Sequence, residues 1–69
     1  MNLKFTKMTG AGNDFILIDN RDGQYDQIKW AELAPQLCNR HFGVGGDGLL
    51  VLNSSQSLDF KLDYYNSDG

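Results

Sequence analysis

The sequence predicts an α/β chain of the α+β type, with strands towards both ends and one helix between them. Two segments, Leu3–Met8 and Phe60–Tyr65, alternate with the period of half-buried strands. Between them, apolar residues from Trp30 onward recur with the period of an amphipathic helix. Each change of pattern falls at a break rich in glycine, asparagine or serine.

Leu3, Phe5 and Lys7 alternate with Lys4, Thr6 and Met8, which predicts a first strand. Thr9–Asp14 breaks it, helped by Gly10 and Gly12. Phe15–Ile18 then reads as a β-branched and aromatic strand covered on both faces. With the turn at Asp19–Gly23, a hairpin or meander opens the chain. Trp30, Leu33, Ala34, Leu37, Cys38 and His41 form one helical stripe. Pro35 requires that the helix begin shortly before it or kink there. Arg40 and His41 suit the negative end of the helix dipole, and Gly43 suits the C′ position. Gly43–Gly48 is a glycine-dense loop that leads into the strand Leu49–Leu52. Asn53–Ser57 is a polar connector, and Phe60, Leu62 and Tyr64 supply the core face of the last strand. Asn66–Gly69 is turn chemistry with no second arm, so a longer polypeptide is expected to follow.

Composition narrows the function classes. A chain of 69 residues holds at most one small domain, marginal without a staple or partner. One cysteine excludes an internal disulfide, and one histidine beside it excludes a four-ligand zinc site. No metal is therefore expected. The net charge of −3 argues against a nucleic-acid partner, whose affinity rests on clustered Lys and Arg. The longest apolar runs, Phe15–Ile18 and Leu49–Leu52, fall far short of the roughly 20 residues that span a bilayer. No membrane partner is expected. An unpaired cysteine and the lack of an export signal place the chain in the cytoplasm.

Three features could carry chemistry. The Gly43–Gly48 loop runs from helix to strand, the reverse of a phosphate-binding loop, so it serves close backbone approach to a strand or a small ligand. Cys38 lies on the apolar stripe and reads as a small buried hydrophobe. A Cys38–His41 catalytic pair lacks an orienting third group. Asn13 and Asn66 stand in glycine-flanked turns at strand ends, either as turn formers or as carboxamides aimed at an amino-acid head group.

Three motifs in register resemble the start of the diaminopimelate epimerase family. They are Lys7-Met8 leading into Gly10–Phe15, then Arg40–Gly48, then Tyr65–Gly69. The resemblance runs over the whole chain but covers only about the first quarter of a family member, a partial N-terminal domain over residues 1–69. It implies a mostly antiparallel sheet curled around a central helix, the helix that ends near His41, in the first of two pseudo-symmetric domains. It implies an isomerase that interconverts LL- and meso-diaminopimelate with two cysteines, without pyridoxal phosphate, metal or any other cofactor. It gives Asn13 and Asn66 to substrate binding. It gives no catalytic role to Cys38, since the family's first catalytic cysteine follows the Asn-x-Asp-Gly motif. Gly48 occupies a position where some members carry a substrate-touching glutamine, a contact that a glycine cannot make with a side chain.

The expected partners are the small-molecule substrate diaminopimelate and the remainder of the polypeptide, with room for a homodimer of the full-length enzyme. The 69-residue piece alone is expected to be inactive. Two alternatives stand: a related racemase or isomerase of the same superfamily, and a non-catalytic β-rich module that binds a small ligand.

Overall fold

The computed structural model describes residues 3–57 and 59–68. Its elements are β1 (Thr6–Gly10), β2 (Asn13–Asn20), α1 (Trp30–Cys38), β3 (Gly48–Asn53) and β4 (Lys61–Asn66). The strands form one mixed sheet in the order β1-β2-β3-β4. The β1–β2 and β3–β4 pairs are antiparallel, while β2 and β3 run parallel. A parallel pair needs a crossover, and α1 supplies it. The α/β expectation holds, with mostly antiparallel pairing.

The core lies between α1 and one face of the sheet. Ile16, Ile18, Leu49 and Val51 are fully buried there, against Trp30, Ala34 and Cys38 of the helix and Tyr25 of the crossover. Trp30, Ala34 and Cys38 are spaced by four residues, so they stack along one side of α1. Tyr25 meets Trp30 edge to face, with centroids 6.2 Å apart. Buried Asn20, at the far end of β2, sits in a fully bonded polar cluster. Its amide donates to Asn53 Oδ1 at 2.7 Å and to Asp26 Oδ1 at 2.8 Å, and its own Oδ1 accepts from the Tyr25 N–H at 2.7 Å. Asn53 in turn donates to Asp63 at 2.9 Å.

Several expectations are corrected. The first strand begins at Thr6, not Leu3, and is exposed along its whole length. The break is a two-residue turn, Ala11-Gly12, because both residues have positive φ (52° and 82°) and Gly10 pairs directly with Asn13. Such turns match the twist of the flanking strands. Consequently β2 is longer than Phe15–Ile18, and only its Ile16/Ile18 side is fully buried. The helix runs through Pro35 and stops at Cys38, leaving Arg40 and His41 beyond it and exposed. Asn39 is the C-cap, and its Oδ1 accepts from the His41 and Phe42 amides. Gly43 is therefore not the C′ residue. On β4 the half-exposed residues are Phe60 ahead of the strand, Leu62 and Tyr64, whereas Tyr65 packs on the core cluster. The helix covers the opposite side of β4 from the one expected.

The other face of the sheet is apolar as well. Register places Thr6, Leu17, Leu50 and Tyr64 in one row and Met8, Phe15, Gly48 and Asn66 in the next. No described residue covers Met8, Leu62 or Tyr64 fully, each being 44–53% exposed. Residues 67 and 68 form a turn as expected, while Gly69 lies outside the described residues. Among the described residues no helix is long and apolar enough to cross a membrane.

Candidate functional site

Both predicted asparagines come to one end of the sheet. Asn13 is the first residue of β2, Gly48 the first of β3 and Asn66 the last of β4. Phe15 pairs with Gly48, and Gly48 with Asn66. Directly paired residues share a face, and Asn13 shares Phe15's face because side chains alternate along a strand. Asn13 and Asn66 thus belong to the face away from α1, and both are exposed. Neither carboxamide makes a hydrogen bond among the described residues, so neither closes an Asx turn. That leaves both with donors and acceptors to offer a ligand.

A polar clamp holds this end together. The Asp47 N–H donates to the Asp14 carbonyl at 2.8 Å, and the Asp14 N–H donates to Asp47 Oδ2 at 2.8 Å. Arg40 forks across both carboxylates, at 3.1 Å to Asp14 and 3.2 Å to Asp47. Thr9 adds a hydroxyl donor to Asp14 at 2.9 Å. The Thr9 hydroxyl first, and Arg40 next, hold the Asp14 carboxyl below the usual carboxylate range. The same carboxylates hold Arg40 protonated. With its fork engaged on these two carboxylates, the guanidinium is committed on the α1 side, and the two neutral carboxamides stand on the other face.

The glycine loop approaches backbone closely, as expected, but the backbone is that of the helix end and of β2. The Gly45 and Gly46 amides donate to the Leu37 and Cys38 carbonyls at 2.9 and 3.1 Å. These are carbonyls a helix end leaves without intrahelical partners. A Cβ on Gly43 would lie 2.1 Å from the Gln36 carbonyl oxygen, so no other residue fits. The loop thereby carries Asp47 from the helix end to Asp14.

Cys38 is buried in the core on the far side of the sheet from the asparagines. Burial pushes its thiol pKa up. His41 is exposed beyond the helix end, next to Phe42, and the structure does not bring it to Cys38 as a pair. A shallow cavity of about 600 Å³ lies elsewhere, lined by Lys4, Phe5, Thr6, Leu17, Asp19 and Arg21, and includes neither asparagine. Sequence reasoning missed Asp14, Arg40 and Asp47 as one unit. The available signal was an arginine and two aspartates within the glycine-rich motifs. It also missed Tyr64, whose ring stands over Gly48.

The family model for diaminopimelate epimerase matches residues 5–69. The chain is 52% identical over 67 residues to the diaminopimelate epimerase of Flavobacterium psychrophilum, covering 97% of this chain and 26% of that protein. It is 46% identical over 69 residues to the diaminopimelate epimerase of Alkaliphilus metalliredigens, covering 100% of this chain and 24% of that protein. For the Caldanaerobacter subterraneus protein of the same name the identity is 49% over 67 residues, covering 97% and 23%. The chain therefore spans about a quarter of the length of these relatives. The family match takes in all three motifs that meet at the Asn13–Gly48–Asn66 end of the sheet, and this chain belongs to the diaminopimelate epimerase family.

Proposed function

We propose that these residues build part of the substrate pocket of an isomerase that interconverts LL- and meso-2,6-diaminopimelate, in lysine and peptidoglycan precursor biosynthesis. One observation carries the reading. The Arg40–Asp14–Asp47 clamp and the Gly48–Asn66 pair bring three sequence-distant motifs to one end of the sheet, with two carboxamides, unbonded among the described residues, on the face away from α1. A carboxamide donates to a carboxylate and accepts from an ammonium, so two of them suit an amino-acid head group.

The reaction is a proton exchange at the α-carbon, without a cofactor. A thiolate on one side takes the α-proton, and a thiol on the other side returns a proton to the opposite face. The electron pair left on the α-carbon spreads into the substrate carboxylate, where fixed donors stabilise it. Asn13 and Asn66 act there, as binding groups. Cys38 does not supply the thiolate, being buried on the wrong side of the sheet with a raised pKa. Both reacting thiols then belong to the rest of a polypeptide of the relatives' length. The partial N-terminal domain over residues 1–69 is by itself inactive.

The test is solvent deuterium incorporation at the α-carbon of diaminopimelate by the parent polypeptide, which carries this sequence on to the relatives' length. Asn13→Ala and Asn66→Ala should each lower kcat/KM about 10- to 150-fold, for a lost hydrogen bond to a charged group of about 1.5–3 kcal/mol. Parental kinetics in both variants would reduce the asparagines to strand-end residues. Exchange into proline but not diaminopimelate would move the protein to a related racemase of the same superfamily. Exchange into neither would leave a small-ligand binding module.

A further inference from the structure

We infer that the Tyr64 hydroxyl is a substrate-contacting group of this pocket, standing where a side chain at position 48 would stand. The inference deepens the proposed function and rests on its placement of an amino-acid head group between Asn13 and Asn66.

The observation is a substitution of space. A Cβ built on Gly48 would lie 2.6 Å from both Cε1 and Oη of Tyr64. The phenol thus occupies the volume above the Gly48 backbone. Tyr64 itself pairs with Leu50, one row further from the site. Its ring reaches along β4 towards the Gly48–Asn66 row and puts the hydroxyl at the end of the sheet where the asparagines stand. Phe15, paired with Gly48 on the neighbouring strand, meets the ring edge to face, with centroids 6.2 Å apart and planes at 67°. This contact props the ring over the glycine.

Burial and bonding agree with a ligand role. Tyr64 is 50% exposed, and its hydroxyl makes no hydrogen bond among the described residues. A tyrosine kept only for packing would have no use for Oη above a glycine, since phenylalanine would fill the same space without a polar atom. A phenol both donates and accepts. Beside two neutral carboxamides it serves as a third uncharged partner for the head group, donating to its carboxylate or accepting from its ammonium. Glycine at position 48 is then a requirement of the pocket, because any larger residue displaces the phenol.

The test compares Tyr64→Phe with the parent polypeptide in diaminopimelate exchange and in thermal unfolding. Tyr64→Phe keeps the ring and its contact with Phe15 and removes one oxygen. The expected result is an unchanged melting midpoint with kcat/KM lowered about tenfold or more, the size of a lost hydrogen bond to a charged group. Gly48→Ala should reproduce the loss, and adding it to Tyr64→Phe should cost less than the product of the two single effects. Parental kcat/KM in Tyr64→Phe, in an enzyme that does exchange diaminopimelate, overturns the Tyr64 assignment alone. A parent that exchanges nothing with diaminopimelate overturns the assignment together with the proposed function.

Discussion

Asp14 and Asp47, 33 residues apart, grip each other twice through their backbones. Each residue's N–H is bonded at 2.8 Å, one to the other's carbonyl and one to the other's carboxylate. Because Asn13 adjoins Asp14 and Gly48 adjoins Asp47, this reciprocal pair fixes the start of β2 against the start of β3. Arg40 then neutralises the two carboxylates that the arrangement brings together.

Arg40→Gln should therefore affect turnover more than stability. Its ion pairs are open to solvent, and pairs of that kind contribute little to stability. Loss of the fork lets the two glycine-rich motifs shift, and a displacement of about 1 Å can cost up to about 100-fold in rate. The parent polypeptide should show kcat/KM lowered about 10- to 100-fold with a melting midpoint close to the original. Arg40→Lys should recover only part, since one ammonium does not reproduce a fork across two carboxylates. Parental kinetics in Arg40→Gln would mean that the backbone bonds alone hold the motifs.

Acid should loosen this end of the sheet by way of Asp14. Its folded pKa is lowered, first by the Thr9 hydroxyl and then by Arg40, so on acidification the unfolded chain takes up the proton first. The stabilisation is complete above the unfolded value of about 3.9 and is lost as the pH falls through the lower folded value. Asp19, lowered by its bonds from Arg21, adds a slope of the same sign. Urea midpoints followed from about pH 6 to about pH 3 should fall less steeply in Asp14→Asn than in the parent. Identical slopes would show that the Thr9 and Arg40 bonds do not hold the carboxylate in solution.

Cys38 should behave as packing. Cys38→Ala removes one buried sulfur from the Ile16–Leu49–Trp30 core and should cost on the order of 1 kcal/mol. Turnover by the folded fraction should be retained, whereas a missing proton-transfer group costs about 10²–10⁴-fold. The thiol should also resist alkylation until the chain is unfolded, given its burial and raised pKa. Rapid alkylation of the native protein, or a folded variant depleted in turnover by that factor, would contradict the packing role.

Ala11 is a site for stabilisation. It is the one described residue other than glycine with positive φ, at 52°. An L-residue held there carries a cost of roughly 1–2 kcal/mol that asparagine, which hydrogen-bonds locally, partly escapes. Ala11→Asn should raise stability by about 0.5–1 kcal/mol, read as a higher urea midpoint at unchanged slope. A lower midpoint would argue that the turn tolerates alanine for a packing reason.

Much of this fold was legible because local pattern and tertiary environment agree. The run Leu49–Leu52 is a strand in the structure, and Trp30 begins the helix as its spacing implied. Where the reading failed, a distant partner decided. The helix ended before His41 because the Gly45 and Gly46 amides close on the Leu37 and Cys38 carbonyls, while Asn39 Oδ1 bonds the His41 and Phe42 amides beyond the helix. The burial of β4 depended on which of two apolar sheet faces the helix would cover, and period-2 alternation is blind to that choice. At the site, Asn13 and Asn66 stood out through their motifs. Asp14, Arg40 and Asp47 did not, since they meet only when the fold brings residues 26 or 33 positions apart into contact, and Tyr64 did not, since its ring meets Gly48 only across the β3–β4 register.

The bond from buried Asn20 to Asn53 has its own consequence, for fidelity of assembly. The two-residue turn aligns β1 on β2 mechanically, leaving the strands no freedom to slide. No short turn aligns β2 on β3, which are joined through a helix and long loops; the Asp14–Asp47 bonds fix one end of their register and Asn20–Asn53 the other. A slide of two residues would preserve the alternation of faces and bury a similar apolar surface, so hydrophobicity alone barely opposes it. It would, however, set Asn20 against Val51 in place of Asn53 and leave one donor of the buried Asn20 amide without its acceptor, at about 1–3 kcal/mol. The pair thus works as a keyed connector: its value lies in refusing misaligned sheets, and a doubly apolar replacement that raised the melting point would give up that discrimination.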